Sequence, residues 1–133
     1  MQEPERTPAR EPPQRPVLVA HDGWLEVRLS VERTCAGNRE GCVQLLAPIV
    51  RQHGVDRLLV VCTDSVDTID RIEAYWTGEA IARLLSGVRI AIAVTRRSVD
   101  YLEDFAAGIA RERGGDVRYF NDLDAAKRWL LAS

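Results

Sequence analysis

The sequence predicts an α/β fold: a five-stranded, mostly parallel sheet opened by an antiparallel hairpin, with four main helices in the order ββαβαβαβα. Three observations carry this expectation. Leu58-Leu59-Val60-Val61-Cys62 and Val88–Thr95 are unbroken apolar runs rich in β-branched residues, as in strands covered on both faces. Each run precedes a stretch whose apolar residues recur at helical spacing. Two shorter strand-like runs, Val17–Ala20 and Trp24–Val31, flank His21-Asp22-Gly23, and Asp-Gly is a strong hairpin signal. A hairpin followed by strand–helix alternation builds a parallel sheet with right-handed crossovers.

Residues 1–16 hold Pro4, Pro8, Pro12, Pro13 and Pro16, alternating charges and no large apolar side chain after Met1. Such a segment cannot bury enough surface to offset its ordering entropy, so it reads as a disordered tail ahead of one domain at 17–133. Its PxxP-like spacing also suits a ligand for a groove-binding partner. In the second run Leu25, Val27, Leu29 and Val31 alternate with Glu26, Arg28 and Ser30, which places one wet face near a sheet edge.

After an expected loop at Glu32–Asn38, the residues Val43, Leu45, Leu46, Ile49, Val50 and His53 follow a helical stripe. Asn38 suits its N-cap and Gly54 its C-terminal glycine, while Pro48 should kink or restart it. Asp70-Arg71-Ile72-Glu73 has the form of a capping box opening the next helix. There Ile72, Trp76, Ala80 and Leu84 repeat at i+4 as the expected inward stripe, and Gly78 should weaken or split the helix. Ser98 is the expected cap of a third helix with Val99, Leu102, Phe105, Ala106, Ile109 and Ala110 inward. Val117–Phe120 is a short strand, and Asp122 caps a last helix burying Leu123, Ala126, Trp129 and Leu130.

Composition narrows the function. The chain has 133 residues, 18 basic and 20 acidic side chains mixed along its length, and a net charge of −2. No basic face stands out, which argues against nucleic acid and anionic membrane surfaces. No apolar stretch reaches the roughly 20 residues of a membrane helix, and the N-terminus lacks the apolar core of a secretory signal. Cys35, Cys42 and Cys62 are odd in number and lack a CxxC spacing, so free thiols and a cytoplasmic location are expected. Cys35 and Cys42 with His53 are too few for a structural zinc, and no cofactor is expected.

The central strand ends in a polar loop carrying Asp64, Ser65, Asp67, Thr68 and Asp70, where open α/β sheets usually place their sites. The three aspartates could ligate Mg²⁺, or could shape turns and cap the following helix. Arg96 and Arg97 follow the next strand at the same sheet edge, and could hold an anionic group or pair with the aspartates. Arg71, Tyr75 and Glu79 could form a rim on the helix begun at Asp70. His21 and His53 lie in a turn and at a helix end, and no G-x-S-x-G, Walker A or dinucleotide glycine pattern occurs, so catalysis has no support.

The element order and the ending Arg118-Tyr119-Phe120-Asn121-Asp122-Leu123-Asp124-Ala125-Ala126-Lys127-Arg128-Trp129-Leu130 resemble the SpoIIAA-like branch of the STAS superfamily. The resemblance spans Val17 to Leu131. It implies a cofactor-free domain that acts by binding, as anti-sigma-factor antagonists, stressosome parts and transporter cytoplasmic domains do. That branch also shares its fold with lipid-binding domains of the CRAL-TRIO type. The phosphorylated serine of the antagonists falls by registration near Asp70-Arg71-Ile72-Glu73, which has neither hydroxyl nor glycine. Ser65 and Thr68 lie nearby outside the family context. The resemblance thus implies a regulatory protein-binding module, possible as a dimer, that uses loop 63–70 and the helix begun at Asp70. Two alternatives stand beside it: a carrier or sensor of a small amphipathic ligand, and a small metal- or phosphate-dependent enzyme using Asp64, Asp67 and Asp70.

Overall fold

The computed structural model describes residues 14–65 and 69–132. Its strands are β1 (Val17–His21), β2 (Trp24–Leu29), β3 (Arg57–Cys62), β4 (Arg89–Val94) and β5 (Asp116–Phe120). Its helices are α1 (Val31–Cys35), α2 (Arg39–His53), α3 (Arg71–Leu84), α4 (Tyr101–Glu112) and α5 (Leu123–Leu131). They build the expected α/β architecture, a five-stranded sheet in the order β1-β2-β3-β4-β5 with only the β1–β2 pair antiparallel. Gly23, at φ +85, supplies the left-handed backbone that the two-residue β1–β2 turn requires.

Side chains alternate across the pleat, and each face has its own cover. Leu25, Val27, Leu58, Val60, Ile90 and Val117 meet α2, α3 and α4 on one face. Leu59, Val61, Ala91 and Ala93 meet Ala126 and Leu130 of α5 on the other. Trp129 covers the rim of this second core, with the Arg89 guanidinium 4.1 Å from its ring centroid. All of β1 is exposed, as befits the edge position expected for the hairpin.

Several local expectations are overturned. The segment 32–38 is not all loop but contains most of α1. Cys35 and Cys42 are not free: they form a disulfide, because Ala36 and Gly37 take left-handed conformations that fold the end of α1 back onto the first turn of α2. The odd cysteine is Cys62, which is buried. The first two cysteines therefore lend no support to a cytoplasmic location; no helix of the described residues is long and apolar enough to cross a membrane.

Pro48 does not break α2, which runs unbroken from Arg39 to His53. Pro48 and Gln44 both lie on the exposed side, where water can bond the carbonyl that the missing N–H leaves free. The third helix is capped not by Ser98 but by Asp100, which forms a full capping box with Glu103.

The expected inward stripe of α3 is rotated. Ile72 and Trp76 are 71% and 48% exposed, while Ala74, Thr77, Gly78, Ala80 and Ile81 are buried. Gly78 does not split the helix. It lets α4 approach so closely that a Cβ there would collide with the Ala106 carbonyl oxygen and lie 2.8 Å from Ile109 Cβ. Gly78→Ala should therefore destabilise the protein by about 1–3 kcal/mol, overpacking outweighing the roughly 1 kcal/mol of helix propensity gained. Urea unfolding of both proteins checks this, and a more stable variant would refute the close approach.

Candidate functional site

The loops following β2, β3 and β4 meet at the carboxyl edge of the sheet, as parallel pairing in sequence order requires. An open depression of about 470 Å³ lies there, lined by Ser30, Glu32, Arg33, Asp64, Ser65 and Arg96, among others. The structure thus brings together three of the expected residues, Asp64, Ser65 and Arg96. Asp67 and Thr68 lie outside the described residues.

Asp64 reaches beyond its own loop. Its carboxylate crosses to the neighbouring strand's exit and accepts from the Val31 amide at 2.7 Å, Ser30 Oγ at 2.9 Å and the Glu32 amide at 3.3 Å. Ser30 Oγ in turn accepts from the Arg33 amide at 3.0 Å. One carboxylate therefore satisfies the orphan donors at the start of α1 and ties that helix to β3. Asp70 caps α3 as expected, accepting from the Glu73 amide at 2.7 Å. The reciprocal half of the expected box is replaced, because the Glu73 carboxylate turns to Arg39, 3.5 Å from its Nη1.

Arg39 leads to a cluster that sequence reading missed. Its Nη2 donates to Glu103 Oε2 at 3.2 Å, and Arg97 donates to both oxygens of Glu103 at 2.9 and 2.8 Å. Glu103 is 1% exposed and Arg39 5%. Arg97 thus pairs with Glu103, and the hydrogen bonds to Glu103 hold its guanidinium above its ordinary range despite burial. Two neighbouring groups feel the same surroundings. Burial first, then the charges of Asp64 and Glu103, pushes the Cys62 thiol up to about 11; burial and then Glu103 push the Tyr119 phenol upward.

The rim expected on α3 is only partly a surface. Tyr75 is half-buried, and its hydroxyl accepts from Arg113 Nη2 at 2.7 Å. Arg71 is exposed, with its guanidinium 5.5 Å from the Phe105 ring centroid, and Glu79 binds Arg83. The exposed apolar groups of α3 are instead Ile72 and Trp76, one turn apart on the same face.

Beneath this edge lies a cavity of about 60 Å³, walled mainly by apolar side chains such as Leu46, Val60, Ile81 and Ile90, with Thr77 and Glu103 also on its wall. Among the described residues no group of three or more His, Cys, Asp or Glu side chains could hold a metal ion. No family model, curated protein or solved structure matches the chain.

Two substitutions test this geometry. Glu103→Gln keeps the shape but leaves two guanidinium groups facing a neutral amide, and should cost on the order of 3 kcal/mol in chemical denaturation. A loss below about 0.5 kcal/mol, ordinary for surface sites, would show the cluster to be solvated. Asp64→Ala strands three donors at α1 and should cost about 1–3 kcal/mol. An Asp64 that served only to meet a ligand would instead be replaceable without loss.

Proposed function

We propose that the chain is a non-catalytic binding module of the STAS type, which engages a protein partner through loop 63–70 and the exposed face of α3. The observation that carries this reading is the pair Ile72 and Trp76, two large apolar side chains held in water at the carboxyl edge. Burying such side chains against a partner recovers about 1.5–3 kcal/mol each, and tryptophan is enriched among residues that dominate interfaces. Arg71, exposed beside them, adds a cationic group of the kind found at interface rims.

The STAS part is supported by the order of the strands, by the antiparallel opening pair and by α5, whose Ala126 and Leu130 seat the tail motif in the second core. Binding is favoured over catalysis by the occupation of the polar groups: Asp64 holds α1, Asp70 caps α3, and Glu103 neutralises two arginines. The carrier reading is less well supported. A cavity of about 60 Å³ falls far below the several hundred Å³ of small-molecule sites, and Trp76 points outward.

The test is a photo-cross-linking residue incorporated at position 76 of the full chain in its native host, with position 128 on α5 as control. A discrete protein adduct is expected from 76 and not from 128, with its yield reduced at least tenfold by Ile72→Glu. That substitution should alter stability by no more than about 0.5 kcal/mol, because the side chain is in water. No adduct at 76, or an adduct indifferent to Ile72→Glu, would reject the reading.

A further inference from the structure

We propose that the Cys35–Cys42 disulfide is a redox latch on the wall of the carboxyl-edge depression, and that its two-electron reduction frees α1 and opens that wall. The inference rests on how α1 is held. At five residues it is far too short to be helical on its own, so its position depends on tertiary contacts, two of which are tethers at its ends. The first tether is the Asp64 carboxylate on Ser30, Val31 and Glu32; the second is the disulfide to the first turn of α2. The same short segment lends Ser30, Glu32 and Arg33 to the depression, opposite Asp64, Ser65 and Arg96. Breaking the second tether removes the covalent tie at the carboxyl end of α1, while the Asp64 carboxylate, the buried Val31 and the Gln14 amide on the Arg33 carbonyl still hold its other contacts.

The chemistry is directional. Cys35 is half-buried and Cys42 is buried, so an incoming dithiol reaches the Cys35 sulfur first. Its thiolate attacks Cys35 Sγ, the bond between the two cysteines breaks, and Cys42 leaves as a thiolate that takes up a proton. The second thiol of the reductant then displaces Cys35 from the mixed disulfide, and Cys35 is protonated in turn. The protein gains two electrons and two protons, and the reductant becomes a disulfide. Cys62 does not compete, since it is buried and its thiol stays protonated through neutral pH. The latch is independent of whether α3 takes a protein partner.

The test compares the full chain, as purified and after dithiothreitol, by intact mass, thiol alkylation and amide hydrogen exchange. Reduction should add 2 Da, on the order of one proton per sulfur, and expose Cys35 and Cys42 but not Cys62 to iodoacetamide. The Val31 and Glu32 amides should then exchange at least tenfold faster, while those of Leu59, Val60 and Val61 stay within twofold. Cys35→Ser should show the fast exchange without dithiothreitol and respond no further to it. Unchanged Val31 and Glu32 exchange after reduction would overturn the proposal. So would equal acceleration of all amides, which would mean a global staple, or failure of dithiothreitol to reduce the bond in the folded protein.

Discussion

The carboxylate of Glu103, enclosed between Arg39 and Arg97, is the constraint on which the carboxyl edge depends. Taking one such charge out of water costs several kcal/mol, and here a second carboxylate and two guanidinium groups are drawn in with it. The geometry offsets that cost by supplying a bidentate arginine and by setting Glu73 and Glu103 in the first turns of α3 and α4, where the helix dipole favours negative charge. Because Arg39 starts α2 while Glu73 and Glu103 lie in the first turns of α3 and α4, the cluster fixes the amino ends of three helices relative to one another. Apolar packing alone would hold these helices against the sheet. The charges set where along the sheet they begin.

Much of this was legible from local pattern. The strand runs at 57–62 and 89–94 declare themselves by unbroken β-branched residues, and Asn38, Gly54, Asp70 and Asp122 mark helix ends by chemistry that acts within four residues. The inward face of α3 was not legible, because hydropathy follows large side chains and the true contact face is made of small ones. Ala74, Gly78 and Ala80 are buried yet carry little apolar signal, and α4 packs against Gly78. Ile72 and Trp76 produced the stronger periodicity on the wrong side. Ser98 yielded to Asp100 because the buried Glu103 had to fall at the third position of the capping box.

The candidate site hid for a related reason. Asp64 bonds residues more than thirty positions upstream, and only the adjacency of β2 and β3 brings them together. Glu103 reads as a polar residue in a helical stripe until Arg39, on another helix, is seen to reach it. The disulfide joins two cysteines seven apart, a spacing that becomes reachable through the left-handed turn at Ala36 and Gly37. Asp64 and Ser65 follow β3 at the carboxyl edge, as chain order implies, whereas the partners of Asp64 lay beyond any local window.

The backbone-close contact of α3 with α4 has an evolutionary consequence. Where two helices touch through glycine and alanine, almost any larger side chain forces the sheet and both helices to readjust together. Divergent copies of this chain are therefore expected to vary freely at the outer face of α2 while keeping small residues at 74, 78, 106, 107 and 110. That row of small side chains, rather than the conspicuous tryptophan, is the hereditary mark by which a distant cousin of this fold would be known.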